Sequence, residues 1–561
     1  MSSEYDSSED ELKEQSYSKN VKKNKVKMFT VEFDRNVKQL NENDVHLIFD
    51  SNEQSLYFLG KMSFKLIEGV FEYQGVEYKD FEFQNKKITI WQSTAKSLSA
   101  IISCTSKVIL EVYVNECKIT SFDKSTSSFN NLFYYAESQT LFGLENHFQI
   151  LTEADVSNFR CLEKTWTWNQ SIERILKGVH KTTICLGVKN SGKSTFNRQL
   201  LDCYRASDKS VNFIDLDPGQ QAFGKPACIS NYDFKSFKDA NEIVLGDSLA
   251  PIDDKENENI LIGSYDCGKY YDLYTLEVER FLKKHNFSYQ DTIINMPGWM
   301  NGLGKDFVNL VISTLISCTD NVEVLFLGAE SEWSKFGIEL NNASLEILPA
   351  GYNNLSGSQN FFIQKNWNST QLREYRVLAT LHDDHEVLLR QVPFKISYGS
   401  KNYNIKLIKF VQLRDQVPKK TEELTLLKTL PGSVVGIFKS FLDDDDSEET
   451  VQTSLFKGKI EESDKFVTHA VIHSIDTTHK YMNIIVPLRN VSNLDIINDS
   501  SYNAFKVLTT TIGLPKYEFI PSRDDVVLAS NGELPYTTDL PLKKHEHTWK
   551  VRKNIMRKSQ K

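Results

Sequence analysis

Three rhythms of hydrophobic and polar residues follow one another along the chain. From about residue 29 to 155, apolar and polar residues partly alternate in short runs such as VHLIF, YFLGKMSFKLIEGVFEY and KITIW. A period of two places every second side chain on the same face of a strand, and turn residues separate the runs. The pattern predicts an N-terminal β-rich domain over residues 29–155.

The middle of the chain, residues 156–395, has continuous apolar runs separated by longer amphipathic stretches. TTICLGV, SVNFIDLD, DTIINMPG and VEVLFLG suit strands that are buried on both faces of a parallel sheet. The stretches Lys193–Tyr204 and Lys305–Cys318, and the later LREYRVLATLH, have helical spacing. This order predicts an α/β fold with a doubly wound parallel sheet.

From residue 396 onward the apolar runs again follow one another at short intervals. SVVGIFKS, KFVTHAVIHSID and YMNIIVPL are typical of strands, and we expect a C-terminal β-rich domain over residues 396–542. Residues 1–28 are polar, acidic and then basic, which favours a disordered tail. Residues 543–561 form a basic tail with eight Lys or Arg, one Glu and Trp549.

Composition narrows the class of protein. The net charge of -9 over 561 residues argues against a general nucleic-acid coat, although a local basic groove is compatible with it. The eight cysteines are scattered without a C-x-x-C pair, which argues against a zinc site and favours a reducing, intracellular compartment. Without an apolar h-region or a run of 18 apolar residues, we expect neither a signal peptide nor a membrane span.

A glycine-rich segment after TTICL carries the strongest chemical signal. It fits G-x-x-x-x-G-K-[ST] and lies between a predicted strand and a predicted helix. Glycines let backbone N–H groups face phosphate oxygens, and the helix N-terminus adds its positive end. In this pattern the lysine reaches the β- and γ-phosphates and the serine reaches Mg²⁺. The predicted ATP-binding residues are Gly187, Val188, Lys189, Asn190, Ser191, Gly192, Lys193, Ser194 and Thr195.

Two aspartates follow the next predicted strand, in NFIDLDPGQ. Asp215 and Asp217 are two residues apart and therefore share a face if the strand stays regular. The carboxyl end of a strand is where an open α/β sheet binds ligands. Either carboxylate is a candidate for supporting Mg²⁺ or for taking a proton from an attacking hydroxyl. The alternative is a strand end capped by solvated acids.

Two later segments add candidates for substrate contact. In NMPGWMNGLGKDF, Trp299 follows a predicted strand at the ligand edge, where an indole suits stacking on a nucleobase. The alternative is a tryptophan that closes the core beneath a turn. Arg373 and Arg376 are three residues apart on one predicted helical face, which suits a lid over a transferring phosphoryl group. They are equally compatible with ordinary surface arginines.

Four segments, in this order, resemble the polynucleotide 5'-hydroxyl kinase family over about residues 40–400. They are GVKNSGKST, DLDPGQ, MPGWMNGLG and the predicted helix that carries Arg373 and Arg376. The resemblance implies an ATP- and Mg²⁺-dependent P-loop kinase domain that phosphorylates RNA 5'-hydroxyl ends. It assigns Lys193 and Ser194 to ATP and Mg²⁺, Asp217 to the general base, and Asp215 to metal or water. It also assigns substrate contacts to Gln220 and Trp299, and lid roles to Arg373 and Arg376.

Both tails are similar to those of the family branch that processes pre-ribosomal RNA. That branch implies a nuclear, nucleolar protein that assembles with a HEPN-type endoribonuclease, and the endoribonuclease cuts the internal transcribed spacer. Trp549 is then the expected contact with the nuclease, against the alternative of a merely soluble tail. The competing hypothesis for the whole chain is an ATP-binding scaffold with little activity, similar to the subunit of the mRNA 3'-end cleavage factor.

Overall fold

The chain folds around four sheets of five to seven strands in its described part. The structure is a computed structural model. It describes residues 27–83, 86–117, 129, 131–135, 148–162, 166–178, 181–250, 252, 257–351, 355–356, 367–382, 392–397, 408–411, 427, 429–441, 459–487, 502 and 504–514.

Two sheets form the N-terminal region and enclose one apolar core. The first has the strand order Lys27–Met28, Gln54–Leu56, Ile101–Ser103, Val70–Tyr73 and Val76–Lys79. The second has the order Glu242–Gly246, Lys87–Gln92, Phe58–Glu68, Val108–Tyr113, Asp44–Phe49 and Val37–Gln39, with Phe148–Ile150 beside Phe58–Glu68. Buried residues of both sheets, including Phe64, Phe71 and Tyr78, share this core.

Two of these strands were not expected from the sequence. Lys27–Met28 pairs with Gln54–Leu56, so the fold includes the end of the segment predicted to be disordered. Glu242–Gly246, from the middle of the chain, pairs in parallel with Lys87–Gln92. The N-terminal sheet and the central region are therefore joined by backbone hydrogen bonds as well as by packing.

The central sheet confirms the α/β prediction. Its order is Glu258–Leu261, Cys228–Phe234, Val211–Asp215, Asp291–Asn295, Thr182–Leu186, Val322–Leu327 and Ser344–Leu348. From Val211–Asp215 onward every neighbour is parallel. Cys228–Phe234 is antiparallel to both of its neighbours, so the sheet is mixed at that edge rather than parallel throughout.

Helices cover both faces of this sheet, as a doubly wound fold requires. Lys193–Ala206 and Trp166–Leu176 pack on one face, where Cys185 contacts Phe196 and Trp168 in one cluster. Tyr271–Lys284 and Leu303–Cys318 pack on the other face against Ile184. The described part also contains the short helices Asp80–Phe83, Val114–Cys117, Glu153–Val156 and Glu330–Phe336, and the strand pair Cys161–Leu162 and Leu355–Ser356.

The C-terminal sheet confirms the β-rich prediction for this region. Its order is Phe394–Ser397, Tyr481–Ile485, Lys465–Asp476, Val434–Ser440, Ala504–Thr509 and Ile408–Val411. Ile437, Ile472 and Phe505 lie in its core. The remaining helix, Ser369–Leu381, is called the arginine helix below because it carries Arg373 and Arg376. The basic tail with Trp549 lies outside the described residues.

Candidate active site

The glycine-rich segment connects the central strand Thr182–Leu186 to the helix Lys193–Ala206, called the P-loop helix below. Lys189 and Asn190 are exposed at the tip of the loop, and Ser194 and Thr195 are half-buried at the start of the helix. Gly192 has a φ of 101°, a conformation that strongly favours glycine. The loop rests on Gly351, whose N–H donates to the Ser191 carbonyl over 2.7 Å.

The side chain of Lys193 forms hydrogen bonds to the backbone of the P-loop. Its Nζ donates to the carbonyl oxygens of Gly187 and Val188 over 2.9 and 3.0 Å. Burial lowers the pKa of Lys193, and the charge of Asp217 opposes that shift. The ammonium group can exchange these two carbonyl acceptors for the oxygens of a bound phosphate, which are stronger acceptors.

Asp215 is fully buried at the end of the strand Val211–Asp215. Its Oδ1 accepts hydrogen bonds from the Asp217 N–H over 3.1 Å and from Asn295 Nδ2 over 2.9 Å. Its Oδ2 accepts from the Ala222 N–H over 2.5 Å. Burial raises the pKa of Asp215 to about 7, although the Ala222 and Asn295 donors lower it. Both oxygens are thus committed to protein donors.

Asp217 lies two residues further on, half-buried in the loop after the strand. Its Oδ1 accepts from the N–H groups of Gly219 and Gln220 over 2.9 and 3.2 Å. Among the described residues, none donates to its Oδ2. Burial raises the pKa of Asp217, and the Gly219 N–H and the charges of Lys193 and Arg373 lower it. The carboxylate is oriented through one oxygen and leaves the other available.

Trp299 is half-buried beside the same sheet edge, so it is neither a fully exposed platform nor a core residue. Its ring meets Tyr271 edge-on with centroids 6.1 Å apart. Gly304 gives the indole its space, because a Cβ there would come within 2.5 Å of the ring. Gly298, just before Trp299, contacts the P-loop: a Cβ on it would lie 3.1 Å from Lys189 Cα. The loop that carries Gly298 and Trp299, called the tryptophan loop below, is therefore in contact with the P-loop.

The two predicted arginines have different surroundings. Arg373 is half-buried with its guanidinium 5.3 Å from the Tyr265 ring, and its charge acts on Asp217. Arg376 is 8% exposed and forms an ion pair with Asp247 at 3.7 Å. The charge of Arg373 thus acts on Asp217, while Arg376 is buried and its charge interacts with Asp247 and Asp215. Gln220 is exposed and its Nε2 donates to Ser369 Oγ over 3.1 Å, so it joins that loop to the arginine helix.

Comparisons with known proteins agree with this geometry. A family model described as mRNA cleavage and polyadenylation factor CLP1 P-loop matches residues 187–379. The protein named polynucleotide 5'-hydroxyl-kinase GRC3 from Candida glabrata is 27% identical over 447 residues, which cover 73% of this chain and 67% of that protein. The protein of the same name from Saccharomyces cerevisiae is 28% identical over 454 residues, or 74% and 67% of the two chains.

The chain is therefore similar to proteins named polynucleotide 5'-hydroxyl-kinase. A solved Clp1p–Pcf11p complex aligns with a TM-score of 0.47 and 14% identity, covering 84% of this chain and 98% of that one. The family match of residues 187–379 includes the P-loop, both aspartates, Trp299 and both arginines of this kinase relative.

The site of this kinase relative also contains a residue that the sequence did not single out. Asn295 ends the strand beside Val211–Asp215, where its Oδ1 accepts from Asn197 over 3.0 Å and its Nδ2 donates to Asp215. This bridge joins the P-loop helix to the buried aspartate. Its polar side chain at the end of the apolar run DTIIN was the available signal.

The donor chemistry of the kinase site fits Mg²⁺. The ion prefers oxygen ligands and keeps waters and substrate phosphates in its shell. The Ser194 hydroxyl supplies an oxygen without competing bonds from described residues, and Asp217 Oδ2 is available either to the ion or to a substrate proton. No cluster of three or more metal-binding side chains occurs in the described ranges, so a phosphate-bound ion fits better than a protein-only cage.

Within the same ranges, no helix is long and apolar enough to cross a membrane.

Proposed function

We propose that this protein is an ATP-dependent polynucleotide 5'-hydroxyl kinase that phosphorylates RNA 5'-hydroxyl ends. The observation that carries the proposal is the environment of Asp217. Its Oδ1 accepts two backbone hydrogen bonds, its Oδ2 accepts none from the described residues, and the charge of Lys193 lowers its pKa. The names of the relatives support the same chemistry.

In the proposed reaction, ATP lies on residues 187–195 with its phosphates against the loop N–H groups and Lys193. Ser194 would hold a magnesium ion, which would supply positive charge to offset that of the phosphates. Asp217 accepts the proton of the RNA 5'-hydroxyl while the hydroxyl oxygen forms a bond to the γ-phosphorus. At the same time the bond between the γ-phosphorus and the ADP oxygen breaks. Lys193 and Arg373 stabilise the developing negative charge, the main contribution that proteins make to phosphoryl transfer.

Asp215 has a different role in this proposal. Because its oxygens already accept three N–H bonds, it holds Asp217, Asn295 and Ala222 in place and would support a bound ion from outside the ligand shell. Trp299, with one edge on Tyr271, is proposed to stack on a base of the incoming RNA end, and Gln220 to line the same entrance.

Transfer of labelled γ-phosphate from ATP to RNA tests this function. Wild type should label an oligonucleotide with a 5'-hydroxyl and leave the same oligonucleotide with a 5'-phosphate unlabelled. Lys193→Ala should lower the rate by about 10²-fold or more, since it removes a charge from the transition state. Equal labelling by wild type and Lys193→Ala would contradict a kinase.

We further propose that the kinase acts in pre-ribosomal RNA processing in the nucleolus, together with a HEPN-type endoribonuclease. The proposal rests on the resemblance of both tails to the family branch that processes pre-ribosomal RNA, and Trp549 is the proposed contact with the nuclease. Purification of the tagged protein from nuclei should recover an endoribonuclease with wild type and less of it with Trp549→Ala. Recovery of polyadenylation factors instead would favour a cleavage-factor scaffold, the second candidate that the family match leaves open.

A further inference from the structure

Asp247 lies at a junction of three parts of the molecule. It directly follows the strand Glu242–Gly246, and its side chain is 14% exposed. One carboxylate oxygen is 3.1 Å from Arg198 of the P-loop helix and 3.7 Å from Arg376 of the arginine helix. The other is 3.7 Å from Lys96 of the N-terminal region. A single carboxylate thus contacts three cations from three separate elements.

A second set of bonds leads from this cluster to the reacting groups. Arg198 donates to the carbonyl of Ala222 over 2.8 Å, and the N–H of Ala222 donates to Asp215. On the arginine helix, Arg376 is one turn from Arg373, whose charge acts on Asp217. Displacing Asp247 would therefore disturb the surroundings of Asp215 and the position of the arginine helix together.

The charge balance makes the cluster sensitive to loss of the carboxylate. Burial opposes ionisation, yet the charges of Arg198, Lys96 and Arg376 hold the pKa of Asp247 well below its usual range. Without it, Arg198 and Arg376, whose side chains are 12% and 10% exposed, would face one another where repulsion is weakly screened, with the half-exposed Lys96 beside them. Arg376 already has one buried nitrogen, Nη1, without a hydrogen-bond partner in the described part of the chain.

Apolar contacts hold the arginine helix on two of its sides. Tyr375 and Leu378 pack on Phe129 and Phe133 from the N-terminal region. On another side, Leu381 packs in a cluster with residues of the C-terminal sheet. Apolar packing is non-directional, whereas an ion pair fixes where one side chain lies.

We propose that Asp247 is a positioning residue that fixes the arginine helix against the P-loop helix and so places Arg373 at the phosphate site. This inference rests on the proposed kinase function. It assigns the two arginines separate tasks: Arg376 anchors the helix, and Arg373 acts on the transferring phosphoryl group.

Steady-state kinetics and a double-mutant cycle test the proposal in the full-length protein. Asp247→Asn should lower kcat on the order of 10²-fold, because small displacements of a catalytic group cost that much. The KM for ATP should be nearly unchanged, since the loop itself remains. Arg373→Met should lower kcat in wild type and add little in the Asp247→Asn background. Additive losses, or wild-type kcat in Asp247→Asn, would overturn the proposal.

Hydrogen exchange separates this inference from the kinase function itself. Amides of residues 369–381 should exchange faster in Asp247→Asn than in wild type, whether or not either protein transfers phosphate. Asp233→Asn is the matched control, because Asp233 is exposed and contacts Gln290 at 2.7 Å. It should keep wild-type exchange and kcat. Unchanged exchange in Asp247→Asn would overturn the positioning role.

A second variant keeps the test informative if the first does not fold. Asp247→Asn combined with Arg376→Met leaves the same excess of positive charge as wild type, so repulsion is relieved while the anchor is lost. It should show the same fall in kcat and the same faster exchange. Wild-type behaviour would overturn the proposal. If wild type itself transfers no phosphate, the kinase function fails and the exchange data alone decide the role of Asp247.

Discussion

At the scale of single residues, two aspartates of one motif have separate environments. The spacing in NFIDLDPGQ predicted both of them at the ligand edge of the sheet and left their roles interchangeable. The strand ends at Asp215, so that side chain points into the sheet while Asp217 belongs to the loop. The difference depends on the donors that come from Ala222, Asn295 and Gly219, which no spacing rule contains.

The pH dependence of the reaction follows from these surroundings. A general base works when it is deprotonated, so kcat/KM, which reports the pKa values of the free enzyme, should rise with pH as the pKa of Asp217 is passed. Because burial raises this pKa, the acid limb should lie above the ordinary carboxylate value of about 3.9. Because burial lowers the pKa of Lys193, the rate should fall again at a lower pH than for a free lysine.

Single-turnover rates at a series of pH values measure both limbs. Asp217→Asn should abolish the acid limb along with most of the rate. A rate that stays flat down to the ordinary carboxylate pKa would contradict a buried base.

At the scale of elements, the sequence predicted the central strands and helices well. Continuous apolar runs placed Thr182–Leu186 and Val322–Leu327, and amphipathic spacing placed the P-loop helix. Pattern alone could not assign Glu242–Gly246 to the N-terminal sheet, because strand pairing across 150 residues leaves no local signal. Nor could it reveal that the arginine helix is packed on two sides.

The contact between the tryptophan loop and the P-loop gives a prediction at this scale. Gly298→Ala would place a methyl group 3.1 Å from Lys189 Cα and 3.2 Å from Lys193 Nζ. Both loops must then shift, and we expect weaker ATP binding by about tenfold, since overpacking costs about 1–3 kcal/mol. Calorimetric titration with ATP measures the loss.

A control glycine makes this test specific. A Cβ on Gly513 would meet nothing within 4 Å, so Gly513→Ala should bind ATP as wild type does. Wild-type affinity in Gly298→Ala would show that the two loops are not in close contact.

At the scale of the whole molecule, the two flanking β-rich regions hold the kinase fold from both sides. The N-terminal region contributes the Trp367–Thr94 hydrogen bond of 2.8 Å and the cluster around Tyr375. On the other side, Val377 and Leu381 pack with Val434 and Val471. The predicted domain boundaries at 155/156 and 395/396 remain a prediction, since these contacts give no sharp division.

Cutting back one of these side chains should weaken the whole assembly. Leu381 is fully buried, and Leu381→Ala should lower the free energy of unfolding by about 2–5 kcal/mol through loss of packing. Urea unfolding measures the change. Leu276→Ala is the control, because Leu276 is 43% exposed on the helix Tyr271–Lys284 and should change stability little. Equal effects of the two would contradict a tightly packed interface.

Asp217 is the residue that distinguishes the proposed kinase from an ATP-binding scaffold. The most direct measurement compares ATP affinity with phosphate transfer to a 5'-hydroxyl RNA oligonucleotide for wild type and Asp217→Asn. Asp217→Asn should bind ATP as tightly as wild type and lose at least about 10²-fold in transfer rate, as expected for a general base. A wild-type transfer rate in Asp217→Asn, or no transfer by either protein, would contradict the account.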